Sequence, residues 1–382
     1  MGRKLFAIII LCTLLLAGCK QQPPLLAEAD TQPGEVEQPQ DGTFSAELLG
    51  VVTFDTSARF ADTELGGLSS ITYDEQNDVY LVLSDDRGRP DNPRFYTVSI
   101  NPDGSEVTLT AVTFLMNEEG NPFKRGQIDP EGIAWSGETL FMASEGEAEM
   151  YPPLPPSVQL FTRSGEWIGQ LTIPEKFLPD GFGKYGVRGN KAFETLTLSP
   201  DGNTLTTAVE NALVQDGPIA SVEDESPARL LLFDLVTGQP LAEYVYVVGT
   251  VPVAKASRSD DNGLVELIAL DNAGNYLALE RSYVAGFGNT IQLYRTSTTG
   301  ASDVSGMEAL WDADTDAPLA FVPMQKTRLV NLADLGFDPD NVEGMALGPQ
   351  LPDGRQLLVL VSDNNFNPSQ ITQFIMLAIT LE

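Results

Sequence analysis

The chain has 382 residues, with 22 Lys+Arg against 54 Asp+Glu, a formal charge of −32, and no histidine. So acidic a chain argues against electrostatic binding of nucleic acid or of anionic lipid surfaces. The missing histidine excludes a histidine-based triad, a histidine-dependent zinc site and a histidine phosphatase mechanism.

Arg3 and Lys4 precede an apolar run, Leu5 to Leu16, interrupted by Thr13. The run is too short for a membrane span, and small residues follow it, so residues 1–18 read as a signal peptide. It ends in Leu16-Ala17-Gly18-Cys19, which matches the bacterial lipobox; Cys19 is then the mature N-terminus and carries the lipid. The protein is expected outside the cytoplasm, held to a bacterial cell envelope by acyl chains. Cys12 and Cys19 are the two cysteines, so the mature domain has no disulfide, thiol nucleophile or cysteine metal site. Removing residues 1–18 takes away two basic residues and brings the charge to −34. Residues 19–43, rich in Gln, Pro and Glu, are expected to be a disordered linker.

From Phe44 the pattern changes to short β-rich runs separated by Gly, Pro, Asp and Asn, so residues 44–382 read as one all-β domain. Single helical turns are expected at Leu65 to Leu68 and at 332–336 and no longer helix. Five segments repeat one template: an apolar strand, a tight polar turn, and a second apolar strand ending in an acid. They begin at Leu68, Pro130, Phe193, Val265 and Val342, and their second strands end at Asp85–Asp86, Glu145, Glu210, Glu280 and Asp363. Turns such as Ser199-Pro-Asp-Gly202 and Asp271-Asn-Ala-Gly274 mark hairpins. A third strand follows each hairpin and an outer one usually follows that, as at Val107 to Phe114 and Glu243 to Val248. Four antiparallel strands repeated radially define a β-propeller of five blades. The last repeat runs out of sequence after its third strand, and Ser45 to Phe54 is the strand left to close the ring. Repeat spacings of 62, 63, 72 and 77 residues leave room for a sixth, degenerate blade.

The template puts acids at two places. Glu131, Glu194, Glu266 and Glu343 stand at the start of the inner strand, with Ser69 or Ser70 there in the first repeat. Asp85, Glu145, Glu210, Glu280 and Asp363 stand at the end of the second strand. The two places are neighbours across the ladder, so all nine carboxylates are expected at one rim of the central channel. So many would repel one another without a cation, and oxygen ligands suit a hard divalent ion, Ca²⁺ foremost in an exported protein. The competing reading is that each acid caps backbone N–H groups at its strand end. Arg87, Arg188, Lys191 and Arg281 are expected near the same rim, either pairing with the acids or recognising an anion such as phosphate.

These residues resemble the family called esterase-like activity of phytase, or phytase-like domain. The stretches that carry the likeness are Gly66-Gly-Leu-Ser-Ser-Ile71 with Leu83-Ser-Asp-Asp-Arg87, Asp129-Pro-Glu-Gly-Ile133, Asn190-Lys-Ala-Phe-Glu-Thr-Leu196 with Ser199-Pro-Asp-Gly202, Leu279-Glu-Arg-Ser282, and Ser362-Asp-Asn-Asn-Phe366. The resemblance implies a propeller and a metal-dependent phosphoester or ester hydrolase. A serine esterase fits less well, because Gly66-Gly-Leu-Ser-Ser70 is no strand-to-helix nucleophile elbow and no histidine exists to activate Ser69 or Ser70. Two readings stay open: a Ca²⁺-dependent phosphoric ester hydrolase acting on a phosphorylated small molecule, or a non-catalytic envelope-binding propeller that uses Ca²⁺ structurally. The expected partners are the membrane, through the lipid, and that small molecule. Nucleic acid is not among them, and the protein is expected to be a monomer.

Overall fold

The computed structural model describes residues 44–253 and 260–381. The signal peptide expected at 1–18, the lipidation expected at Cys19 and the linker expected at 19–43 lie outside the described residues. Among those described, no helix is long and apolar enough to cross a membrane.

Five four-stranded antiparallel sheets form the ring. Blade 1 is Leu68–Asp74, Val79–Ser84, Arg94–Ile100 and Val107–Phe114. Blade 2 is Pro130–Trp135, Leu140–Ser144, Ser157–Phe161 and Trp167–Gln170. Blade 3 is Phe193–Leu198, Thr204–Val209, Ser226–Asp234 and Gln239–Val248. Blade 4 is Asp261–Ala269, Asn275–Val284, Gly288–Ser297 and Gln325–Asn331. Blade 5 takes Val342–Gln350, Gln356–Ser362 and Thr372–Thr380 from the C-terminus. Its outer strand is Ser45–Phe54, paired antiparallel with Thr372–Thr380. The ring is thus closed as expected, and no sixth blade is present among the described residues.

The second strand of each blade lies between two neighbouring blades, so both its faces are buried. In blades 1, 2 and 5 it reads as a near-continuous apolar run, while blade 3 places Thr206 and Thr207 there. In blade 1, Tyr80 and Val82 face blade 5 beside Val359 and Phe374. Leu81 and Leu83, one step along, face blade 2 beside Ile133 and Met142. Leu277 and Leu279 of blade 4 meet Leu358 and Leu360 of blade 5 in the same way. The core is therefore divided among the gaps between blades. Each fully buried Leu or Phe contributes roughly 1.5–3 kcal/mol.

The extra length that left room for another blade lies in an insertion, 298–324, between the third and fourth strands of blade 4. It carries the small hairpin Trp311–Asp312 with Ala317–Pro318 and packs on blade 3, where Val304 and Leu310 meet Val245. Buried Arg229 ties it down, bonding Asp216 (2.6 Å), Glu243 (2.7 Å) and the carbonyl of Met307 (3.0 Å). The turn expected at 332–336 is a 3₁₀ turn, Leu332–Leu335, capped by the Asn331 side chain and closed by Gly336 at φ 89°. Leu65 to Leu68 makes no helical turn; Leu68 already belongs to the inner strand of blade 1.

Candidate functional site at the acidic mouth

All five inner strands carry a β-bulge at the same height. The pairing slips at Ser69, Glu131, Glu194, Val265 and Glu343. A bulge leaves one residue outside the ladder and re-aims it. One residue beyond the bulge on the second strands stand Asp85, Glu145, Glu210, Arg281 and Asp363, in the same order; four lie just past the paired end, while Arg281 still pairs with Gly263. Blade 4 is therefore the exception: where its neighbours place two acids, or Ser and Asp in blade 1, it places Val265 and Arg281.

This corrects the expectation that nine acids share the rim. Glu266 pairs with Leu279 and belongs to the next layer in, level with Ser70, Gly132, Thr195 and Gly344. Four small residues there let the strands close in; a Cβ on Gly132 would lie 2.8 Å from that of Leu196, and one on Gly344 2.8 Å from Ser70 Cα. Glu266 fills the axis between them, accepting from Ser70 Oγ at 2.7 Å and from its neighbour Leu267 N at 3.0 Å. Burial raises it to about 8, against the hydrogen bonds that lower it. Glu280 pairs with Leu264 and faces the opposite side of the blade. Its carboxylate takes Tyr246 Oη (2.8 Å), Asn262 Nδ2 (2.9 Å) and the Lys326 ammonium.

The other seven acids do converge. Asp85, Glu131, Glu145, Glu194, Glu343 and Asp363 line a cavity of about 640 Å³, with Arg87, Lys191 and Arg281 among them. Glu210 lies just beneath, against Lys191. Asp129, which the repeat template passed over, joins Glu131 and Glu145 in a trio whose ligand oxygens lie within 4.8 Å of one another. Glu145, Glu194 and Glu210 form a second such trio. Asp129 stands one residue ahead of the paired end of its inner strand, at the place of Gly67 in blade 1 and Ala192 in blade 3, so only blade 2 puts a carboxylate there. Its signal was the unusual Asp129-Pro-Glu131 pairing of two acids.

Three cations answer part of this charge. Arg87 pairs with Asp129 at 2.6 Å, and Arg281 with Glu343 at 3.0 Å. Lys191 bridges Glu210 (2.9 Å) and Asp261 (2.7 Å). The fourth expected cation, Arg188, lies elsewhere; it donates to the carbonyls of Ala212 (3.0 Å) and Gly217 (2.8 Å) in a neighbouring groove. Among the described residues, Asp85 Oδ1 and Glu210 Oε1 are buried and accept no hydrogen bond. Burial, then neighbouring acids, pushes Asp85, Glu131 and Glu194 well above the usual carboxylate range. The same causes lift Glu145 and Asp363 to about 8 each. Burial takes Asp129 to about 7 despite Arg87. As a set of hard oxygen donors too crowded to ionise together, the mouth has the chemistry a divalent cation requires.

Fold and site together define an all-β, five-bladed propeller with a carboxylate-lined channel mouth. More narrowly, the chain belongs to the phytase-like family, described as esterase-like activity of phytase, which matches residues 63–366. It is 25% identical over 192 residues to an uncharacterized secreted protein of Arthroderma benhamiae, covering 43% of this chain and 36% of that one. The chain thus spans little more than a third of that relative. Among solved structures, it resembles an endo-arabinase of Bacteroides thetaiotaomicron (12% identity, 83% of this chain and 95% of that chain, TM-score 0.44). It also resembles the catalytic domain of the GH62 α-L-arabinofuranosidase of Coprinopsis cinerea (8%, 87% and 98%, 0.43). Similarities this distant say nothing of activity.

Proposed function

We propose that the protein is an exported, lipid-anchored hydrolase of phosphoric esters that works with a divalent cation, Ca²⁺ foremost, at the acidic mouth. The observation that carries the reading is the pair of carboxylate trios, each within 4.8 Å, that share Glu145 beside a cavity of about 640 Å³. Asp129, Glu131, Glu145, Glu194 and Glu210 would hold the cation, with Asp85 and Asp363 completing the wall. A bound divalent ion supplies positive charge that polarises a phosphate and makes a water more acidic. Arg281 and Lys191 face the same space from blades 4 and 3, and their charge is fixed by the acids around them. They are placed to hold the non-bridging oxygens of a phosphate and to stabilise charge that develops there. Glu194 stands in the trio with Glu145 and Glu210, so its part would be to hold the cation. Export and anchoring rest on the lipobox at Cys19 and on a relative named as secreted.

One observation favours the non-catalytic alternative. Asp129 and Glu343 already have arginine partners, and Glu145 accepts from Ala192 N at 2.7 Å, as a structural cap would. Turnover separates the two. Hydrolysis of a phosphomonoester in Ca²⁺ that stops with chelator and drops at least about tenfold in Glu194→Gln is the expected result. Tight Ca²⁺ binding and a higher Tm with no turnover of any ester would leave the binding propeller.

A further inference from the structure

A second cavity opens beside the channel mouth and shares Lys191 with it. Its volume is about 540 Å³, and Phe182, Tyr185, Val187, Ile219 and Pro179 line it. Where the channel presents carboxylates and cations, this groove adds aromatic and aliphatic carbon to Glu149 and Arg188. Phe182 is 81% exposed and Ile219 38%. Apolar side chains gathered around a concave surface next to a charged site are what a ligand with an apolar end requires.

The walls are held in place. Asp180 Oδ1 accepts from Phe182 N (2.9 Å) and Lys184 N (3.2 Å), which sets the turn that raises Phe182. Tyr185 Oη donates to Glu308 at 2.9 Å, tying the wall to the insertion of blade 4. Val187 N donates to Phe177 O (3.0 Å), and Val214 N to Gly186 O (3.0 Å). Arg188, through the carbonyls of Ala212 and Gly217, fastens the facing loop of blade 3. A groove in which residues 177–188 are tied to the 212–217 loop and to Glu308 needs little ordering when a ligand enters.

We propose that this groove binds the organic group of the ester whose phosphate sits in the channel, and that the substrate class is therefore a phosphate ester of a flat, apolar alcohol, such as an aryl ester. The inference rests on the function proposed above and adds the half of the substrate that the channel does not contact. Lys191 carries the continuity: its ammonium is turned to the channel by Glu210 and Asp261, and its stem borders the groove. A membrane surface is a poorer occupant, because the chain carries a charge of −32.

Binding of two non-hydrolysable probes, phenylphosphonate and methylphosphonate, by the full chain in Ca²⁺ tests the proposal without the leaving-group bias of a rate. Phenylphosphonate should bind about tenfold more tightly or better. The preference should fall below about twofold in Phe182→Ser combined with Ile219→Ser, and stay unchanged in Val236→Ser, another exposed apolar residue. Unchanged melting temperatures would show that the variants fold. Equal affinity for the two probes, or a preference that survives the double substitution, overturns the groove and leaves the channel reading standing. Binding of neither probe overturns both.

Discussion

Blades 3 and 4 were built from one template and present opposite charge to the channel at its two acidic positions. In blade 3 the bulge residue is Glu194 and the second strand delivers Glu210. In blade 4 the same two positions are Val265 and Arg281. The acids of blade 4 each sit one residue away, and in a strand one residue means the other face. Glu280 thus becomes part of the outer packing with Lys326 and Tyr246, and Glu266 drops one layer down the axis. The difference converts what would be a closed ring of acids into a horseshoe with a cationic gap. A carboxylate horseshoe can hold a cation and still leave one side for an anion; a closed ring of acids offers no such side.

The largest effect that sharpens this contrast is on stability. Glu280→Ala leaves Lys326, Tyr246 and Asn262 without their shared acceptor and should cost about 3–5 kcal/mol in denaturant unfolding, with Ca²⁺ affinity unchanged. Glu194→Gln should do the reverse: no loss of stability without cation, and weaker Ca²⁺ binding. A smaller effect is expected at the gap. Arg281→Gln removes the partner of Glu343 and should destabilise the cation-free protein by about 1.5–3 kcal/mol, while Ca²⁺ binds several-fold more tightly and restores part of the loss. Melting curves with Ca²⁺ and with chelator check both parts.

The smallest effect is in the pH dependence. The carboxyls of Asp129, Glu145 and Asp363 are raised to about 7, 8 and 8, so the cation-free fold binds their protons more tightly than the unfolded chain does. Their contribution is full below the ordinary carboxylate range and is lost as pH rises through about 7 to 8. Stability in chelator should therefore fall from pH about 5 to about 8, and saturating Ca²⁺ should flatten the fall. Glu194→Gln should lessen the slope by no more than about 1.4 kcal/mol per pH unit, the linkage of one proton.

The propeller was legible because each blade repeats a hairpin with its own turn residues, and because Ser45 to Phe54 was an unpaired strand matched to a blade lacking one. The gap in the horseshoe was not, and the reason lies in the turns. Matching Gly202 to Gly274 places Glu266 on Glu194, since each acid precedes its glycine by eight residues. Yet the backbone closes the two loops at Ser199 with Thr204 and at Leu270 with Asn275, so Gly274 stands one place later in its loop than Gly202 does. Turn geometry sets register, and identity of residue type does not. Counting six residues on from Thr204 and from Asn275 reaches Glu210 and Arg281, so the signal was present in the sequence once the loop closure was known. Asp129 and Arg188 escaped for a different reason. Neither belongs to the repeat: Asp129 is placed by Arg87 of blade 1, and Arg188 by the carbonyls of a blade 3 loop.

The most direct test of the horseshoe is calorimetric titration of Ca²⁺ into three proteins: the wild type, Glu194→Gln and Glu280→Gln. Stoichiometric binding that falls at least about tenfold in Glu194→Gln and holds within about twofold in Glu280→Gln is the predicted result. No binding at millimolar Ca²⁺, or an equal loss in both variants, would contradict it.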